Sequence, residues 1–192
     1  MTAVLNVNAQ NLDTAFIESI KSRFSTADLE IRVKPQADKK PIPLFSTKDF
    51  WETIAQLDWA HENGDDEQVL APAVAFLAQR PLEHIYRFAD LLAEKLWHLD
   101  TQAHAQVFLD DPASAGYLSV DDFLYARCAV VANGLQTYEN VLQNPSQMPT
   151  DITFEPLLGL AAAAHRRKTG RDTLIVSAYN YETYSNRKGW NH

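Results

Sequence analysis

The stretch from Ser119 to Leu142 constrains the fold of this chain more than any other. It reads SVDDFLYARCAVVANGLQTYENVL and begins with the pattern of a helical capping box. The Ser119 side chain can accept from the backbone N–H of Asp122, and the Asp122 carboxylate can reach back to the start of the helix. Beyond this cap the sequence is apolar on nearly every side, which is typical of a helix inside a bundle. The pattern therefore predicts a central, buried helix.

Arg127 lies within this apolar stretch, so its charge needs a buried partner. Breaking a buried ion pair leaves an uncompensated charge at a cost of about 3–5 kcal/mol. We therefore expect Arg127 to be buried and paired with a carboxylate. The candidate partners are Glu94, Asp100 and Glu139.

Further helices are predicted before the central one. Ser46 or Thr47 is a suitable cap for a helix whose apolar face begins at Phe50. A second helix is predicted from Pro81 to Leu99, where apolar residues recur at spacings of three and four. Asp100 then stands where it could cap a short helix that follows.

The C-terminal part of the chain predicts one more helix and an aromatic tail. The helix runs from about residue 154 to residue 168, with Gly170 as its C-terminal cap. The tail, residues 174–192, is rich in tyrosine, and we expect it to be strapped onto the helices. Trp59 and Trp97 fall on helical segments and are interpreted as core residues or as the lining of a groove.

The N-terminal segment has a different pattern. Residues 3–7 and 29–34 read as strands, the second with clean alternation, and an amphipathic helix lies between them. The prediction for residues 1–34 is thus a βαβ module, joined by a proline- and lysine-rich linker, 35–44, to a helical domain, 45–192. The predicted fold class is α+β, mainly a helical bundle.

The predicted βαβ module is too small to bury its own apolar surface. Isolated strand pairs are marginal in water, and pairing with a second copy would extend the sheet. We therefore expect a homodimer joined through residues 1–34. The alternative is that the module packs onto its own helical domain.

Composition narrows the classes of partner. The net charge of −8 disfavours nucleic acid and anionic membranes, because phosphate contacts need a clustered basic face. The basic cluster around residues 165–171 would complement a helix dipole, and a phosphate site is the alternative reading. Cys128 is the single cysteine, which excludes an internal disulfide. Without a signal-like start or a bilayer-length apolar run, the chain is expected to be soluble and cytoplasmic.

Candidate catalytic groups are sparse. The charged stripe on the helix 81–99 offers carboxylates and His98, but it equally describes a solvated face with ordinary ion pairs. Asp121 and Asp122, together with Asp110 and Asp111, could hold a hard cation, although Asp122 already has a capping role. Histidine and cysteine spacings typical of zinc are missing, so no metal and no cofactor are predicted.

Several motifs occur in a familiar order: FSTKDFWETIAQLDW, RPLEHIYRFADLLAEKL, SVDDFLYARCAVVANG and AAAAHRRKTGR. On these motifs residues 45–172 resemble the bacterial domain-of-unknown-function family numbered 4240, found elsewhere beside WGR domains. In that family a glycine-cysteine pair usually precedes a serine-aspartate-aspartate run. Here Tyr117 and Leu118 take those places, and Val120 separates Ser119 from Asp121. The resemblance implies architecture and no chemistry. Residues 1–34 resemble the leading segment of small bacterial antitoxins.

The favoured function is a non-enzymatic one. An acidic surface with aromatic grooves suits a protein-interaction or regulatory module, of the antitoxin or immunity kind, that binds a basic protein partner. The alternative is a small hydrolase or metal-dependent enzyme that uses Asp121, Arg127 and a neighbouring carboxylate or histidine. An acid with a strongly perturbed pKa in an open pocket would favour the enzyme. A closed pair of Arg127 with a carboxylate, with no adjoining cavity, would favour the interaction module.

Overall fold

The structure is a computed structural model that describes residues 14–23, 43–61, 66–110 and 116–190. The chain divides into two compact units, residues 1–41 and 42–192. In the first unit the described residues form one helix, α1 (Thr14–Arg23).

The predicted α+β fold class is wrong: the described parts of the chain form helices and no strand or sheet. The two segments predicted as strands, 3–7 and 29–34, lie outside the described residues, as does most of the predicted linker 35–44. The predicted helix between the two segments is present as α1. A βαβ module is therefore not part of the observed architecture, and of the predicted dimer interface over 1–34 only residues 14–23 are described.

The second unit is a bundle of helices joined by short turns. Residues 59–61, 145–147 and 155–159 form short 3₁₀ helices, the last of which leads directly into the final α-helix. The α-helices are α2 (Thr47–Ile54), α3 (Asp66–Ala78), α4 (Leu82–Leu99), α5 (Gln102–Asp110), α6 (Val120–Ala132), α7 (Leu135–Gln143) and α8 (Leu160–Thr169).

The core is built around α6, as the sequence predicts. Nine of its residues are buried, including Phe123, Arg127 and Val131, because the helix contacts neighbours on several sides. Helix α4 packs against α6 and α8, and α3 packs chiefly against α8. Helix α4 is the predicted amphipath, with Ile85 and Leu96 fully buried.

The helix ends follow the predicted local chemistry, except that α6 has only the Ser119 half of its predicted capping box and the Asp122 carboxylate makes no return hydrogen bond. Ser46 forms a complete capping box with Asp49 at the start of α2, and the Ser119 hydroxyl accepts from the Asp122 N–H at the start of α6. Gly134 has φ of 91°, a left-handed conformation that favours glycine, and it separates α6 from α7. Gly170 (φ 72°) closes α8 by donating its N–H to the Arg166 carbonyl.

Candidate functional site

Arg127 is fully buried, as expected, but its partners differ from the prediction. One guanidinium nitrogen, Nη1, donates to the carbonyl oxygens of Leu96 (2.9 Å) and Tyr181 (3.0 Å). The other, Nη2, donates to the Thr183 hydroxyl at 3.0 Å, and the guanidinium also lies over the Phe123 ring, 4.8 Å from its centroid. Backbone carbonyls and an aromatic face therefore replace the expected carboxylate.

The predicted ion pair of Arg127 with Glu94, Asp100 or Glu139 is not formed, since no carboxylate of the described residues lies within 4.0 Å of Arg127. Burial lowers the pKa of Arg127 to about 10, and the negative charge of Asp100 acts at longer range to raise it. The arginine thus remains charged at neutral pH while it is solvated by protein oxygen atoms.

Asp100 is also fully buried, and it binds the C-terminal tail through hydrogen bonds. Its Oδ1 accepts from the Tyr184 N–H (3.1 Å) and the Trp190 indole N–H (2.8 Å). Its Oδ2 accepts from the Asn186 N–H (2.9 Å) and the Ser185 hydroxyl (3.2 Å). All four donors belong to the tail. Burial of this carboxylate is possible because tail donors replace the water it loses.

The predicted capping role of Asp100 is taken by the next residue. Thr101 accepts from the His104 N–H at 3.3 Å and stands directly before α5. This leaves both oxygens of Asp100 free for the tail. An aspartate can cap a helix or accept hydrogen bonds from a distant segment. At Asp100 the position of the tail selects the second role.

Asp100, Arg127 and the tail residues 181–190 together form what we call the tail clasp. Thr183 ties the tail to α6, because its hydroxyl accepts from Arg127 and donates to the Val120 carbonyl at 2.8 Å. Tyr184 adopts φ of 73°, an uncommon conformation outside glycine that is held by its hydrogen bond to Asp100. The expectation of a strapped aromatic tail is confirmed, and the clasp is closed.

Glu94, Asp121 and Asp122 lie outside the tail clasp. Glu94 is half-buried on α4 and faces His98, with 3.9 Å between Oε1 and Nε2. Asp121 and Asp122 are exposed in the first turn of α6, where Asp122 serves the cap. Asp121 is about 9 Å along the helix from Arg127 at 1.5 Å per residue, and only the aspartate is accessible. The structure therefore does not bring Asp121 and Arg127 together in one pocket.

Trp59 and Trp97 occupy partly exposed positions on different parts of the surface. Trp59 is 37% exposed, and its ring lies 5.1 Å from the Phe154 ring. Trp97 packs against Tyr179 of the tail at 5.4 Å and against His98 at 5.2 Å. Each tryptophan serves local packing, and neither lines the groove described below.

Other reactive side chains are inert by burial. Burial raises the pKa of Cys128 to about 12, so the thiol stays protonated at neutral pH. His104 is buried between Thr101 and the Val141 carbonyl, to which its Nε2–H donates at 3.1 Å, and burial lowers its pKa. Within the described ranges, no group of three or more His, Cys, Asp or Glu side chains could hold a metal ion.

An open groove of about 520 Å³ lies on the surface between α2 and α7. Its apolar lining comes from Trp51, Ala55 and Leu135, and its polar rim from Thr47, Lys48, Glu52 and Glu139. Leu135 is 44% exposed. The prediction of an aromatic groove named Trp59 and Trp97, whereas the tryptophan of this groove is Trp51.

Trp51 is anchored beneath this surface by other aromatic rings. Its ring lies 4.8 Å from the Phe50 ring and 5.4 Å from the Tyr138 ring. Its indole Nε1 is buried and has no hydrogen-bond partner in the described part of the chain. Sequence patterns could have indicated the groove only through the exposed Leu135 and Glu139 on α7, which lie four residues apart on one helix face.

The geometry of the helical domain can be compared with known proteins. Comparisons with curated proteins and with solved structures each found no significant match. None of the described helices has the length and apolar character needed to cross a membrane. Residues 45–167 match the family described as "Protein of unknown function (DUF4240)". This match covers more than half of the chain and extends from the residue before the α2 cap into α8, so the chain belongs to the DUF4240 family.

Proposed function

We propose that this protein is a non-enzymatic interaction module that binds a basic, amphipathic helix of a partner protein in the groove between α2 and α7. The observation that carries the proposal is the groove itself, an apolar floor with carboxylates on its rim. Binding sites for amphipathic helices are grooves of this kind, read by apolar side chains at helical spacing.

The groove is shaped to take a helix because two helices form its sides. On α7, Leu135, Glu139 and Leu142 follow at spacings of four and three, and both leucines are substantially exposed. On α2, Lys48 and Glu52 follow the same pattern, which ends at Ala55, the C-cap of the helix. A third helix laid along the groove would bury these faces against its own apolar stripe.

The charge on the rim favours a basic partner. Glu52 is partly balanced by Lys48 at 3.6 Å and by Arg80 at 4.0 Å. Glu139 has no basic side chain within 4.0 Å in the described residues. A lysine or arginine of the partner would meet this free carboxylate, and the net charge of −8 would steer a basic protein towards the domain.

The tail clasp supports an interaction role over the enzymatic alternative. Arg127 and Asp100 are closed off and satisfied, and Asp121 is exposed at a distance from both. A catalytic arginine would need access to substrate, which the closed clasp does not give. We extend the proposal to regulation of the antitoxin or immunity kind, in which an acidic module binds a basic partner protein.

The test uses a fluorescently labelled helical peptide of about 18 residues, long enough to span the groove, with leucine on one face and lysine on the other. We expect binding to the full chain that weakens about tenfold or more in Leu135→Glu and Glu139→Lys, because a tenfold change corresponds to losing one good contact.

The matched control is Leu44→Glu, since Leu44 is also an exposed leucine but does not line the groove. A peptide with glutamate in place of lysine should bind poorly to the wild type and better to Glu139→Lys. Equal binding of the lysine peptide to all variants, or no binding to the wild type, would refute the proposal.

A further inference from the structure

We propose that residues 172–178 form a docking strand through which two copies of this chain pair antiparallel, a surface separate from the groove between α2 and α7. The segment reads DTLIVSA and lies between the end of α8 and the tail clasp. Its composition is rich in residues that favour strands, yet it belongs to no sheet.

The side chains of the docking strand alternate as in a strand with one face on the protein. Thr173, Ile175 and Ser177 are half-buried against the helical domain. Leu174 is 88% exposed and Val176 is 81% exposed. A period of two with aliphatic side chains on the outer face is the pattern of a strand that packs on one side only.

The backbone of the docking strand is unpaired. No backbone group of residues 173–177 has a hydrogen-bond partner in the described parts of the chain. The Ala178 N–H, at its end, donates to the Asp90 carboxylate at 3.3 Å. An apolar, unpaired edge of this kind is a template for pairing with another chain, and proteins usually cover or charge such edges.

Charge complementarity selects a second copy as the occupant. At its beginning the docking strand follows the exposed cations Arg166, Arg167, Lys168 and Arg171, the first of which pairs with Asp172. At its end the Ala178 N–H donates to the Asp90 carboxylate of α4, and the Tyr179 ring lies near His98, which faces Glu94. The exposed Glu182 follows in the tail. Antiparallel pairing places the basic end of each copy beside the acidic end of the other, twice in one dimer.

The sequence of the docking strand is also complementary to itself. With the two-fold axis at Ile175, Thr173 lies opposite Ser177 and Leu174 lies opposite Val176. Hydroxyl pairs and aliphatic pairs opposite each other both stabilise antiparallel strands. An interface that uses the same patch on both copies is the usual geometry of a two-fold dimer.

The experiment measures the mass of the full-length chain by sedimentation equilibrium over a range of micromolar concentrations. We expect a monomer–dimer equilibrium that Val176→Pro and Leu174→Arg each weaken about tenfold or more, because they remove a ladder hydrogen bond or place a charge in the aliphatic pair. Both sites are exposed, so circular dichroism should show unchanged helix content.

Charge reversal tests the antiparallel arrangement. Arg171→Glu and Glu182→Arg should each weaken the dimer, and the double variant should restore it, while the control Lys188→Glu should leave it unchanged. A wild type that stays monomeric, a dimer insensitive to all these changes, or a double variant weaker than either single one would each overturn the proposal. An insensitive dimer would instead favour the interface predicted over residues 1–34.

Discussion

Replacement of Asp100 by alanine should destabilise the helical domain strongly. The change removes a buried carboxylate that accepts four hydrogen bonds, from the Tyr184 and Asn186 amides, the Ser185 hydroxyl and the Trp190 indole. A hydrogen bond to a charged group contributes about 1.5–3 kcal/mol, so four give a gross value of about 6–12 kcal/mol.

The measured loss should be smaller than this gross value, because a tail that detaches exposes its donors to water. We expect Asp100→Ala to lower the free energy of unfolding by about 3–5 kcal/mol, the range found when one partner of a buried charged group is removed. Asp100→Asn keeps one acceptor oxygen and turns two N–H donors towards the tail. We expect it to lose about half as much.

The assay is urea unfolding followed by circular dichroism and tryptophan fluorescence. The matched control is Asp151→Asn, an exposed aspartate whose change should stay within about 0.5 kcal/mol. Trypsin should also cleave the tail faster at Arg187 in Asp100→Ala than in the control. A loss below about 1 kcal/mol with no faster cleavage would refute the claim that Asp100 holds the tail.

Three further predictions concern buried groups of the same domain. Arg127→Met should lower the free energy of unfolding by about 3 kcal/mol, because the change leaves carbonyl acceptors of the tail clasp without a donor. Urea titration measures this loss, and an unchanged midpoint would contradict the prediction. The free energy of unfolding should fall as the pH drops below about 6.5, because burial lowers the pKa of His104 and the unfolded state therefore binds the proton first. His104→Gln should flatten this pH dependence of unfolding. An unaltered slope in the variant would be evidence against a role for His104. Cys128 should be unreactive to a disulfide reagent in native buffer and react fully in guanidinium chloride, so rapid native labelling would show that the thiol is accessible.

Local chemistry was the most predictable part of this fold. The caps at Ser46, Ser119 and Gly170 depend on residues a few positions apart, so sequence alone identifies them. The burial of Arg127 also follows from its apolar surroundings in α6. The sequence could not show which buried oxygens would meet the guanidinium, because Leu96 and Tyr181 lie 31 and 54 residues away.

Two of the errors have a common physical cause, since each concerned a pattern that tertiary contacts can override. Asp100 suited a helix cap, but the tail brought four donors to it and Thr101 took the cap. Trp59 and Trp97 suited a groove, whereas the groove formed at Trp51, where α2 and α7 meet. The α+β error is of a different kind, because the predicted strands 3–7 and 29–34 lie outside the described residues, which form helices and turns without a strand.

The most direct test of the proposed groove follows the indole N–H resonances of the four tryptophans by NMR during titration with the leucine–lysine peptide. The Trp51 resonance should shift as the peptide covers the groove, because the Trp51 side chain forms part of the apolar lining of the groove. The Trp190 resonance should stay fixed, because its N–H is held by Asp100 in the tail clasp. A peptide that binds while Trp51 stays unchanged, or one that shifts only Trp59, Trp97 or Trp190, would contradict binding between α2 and α7.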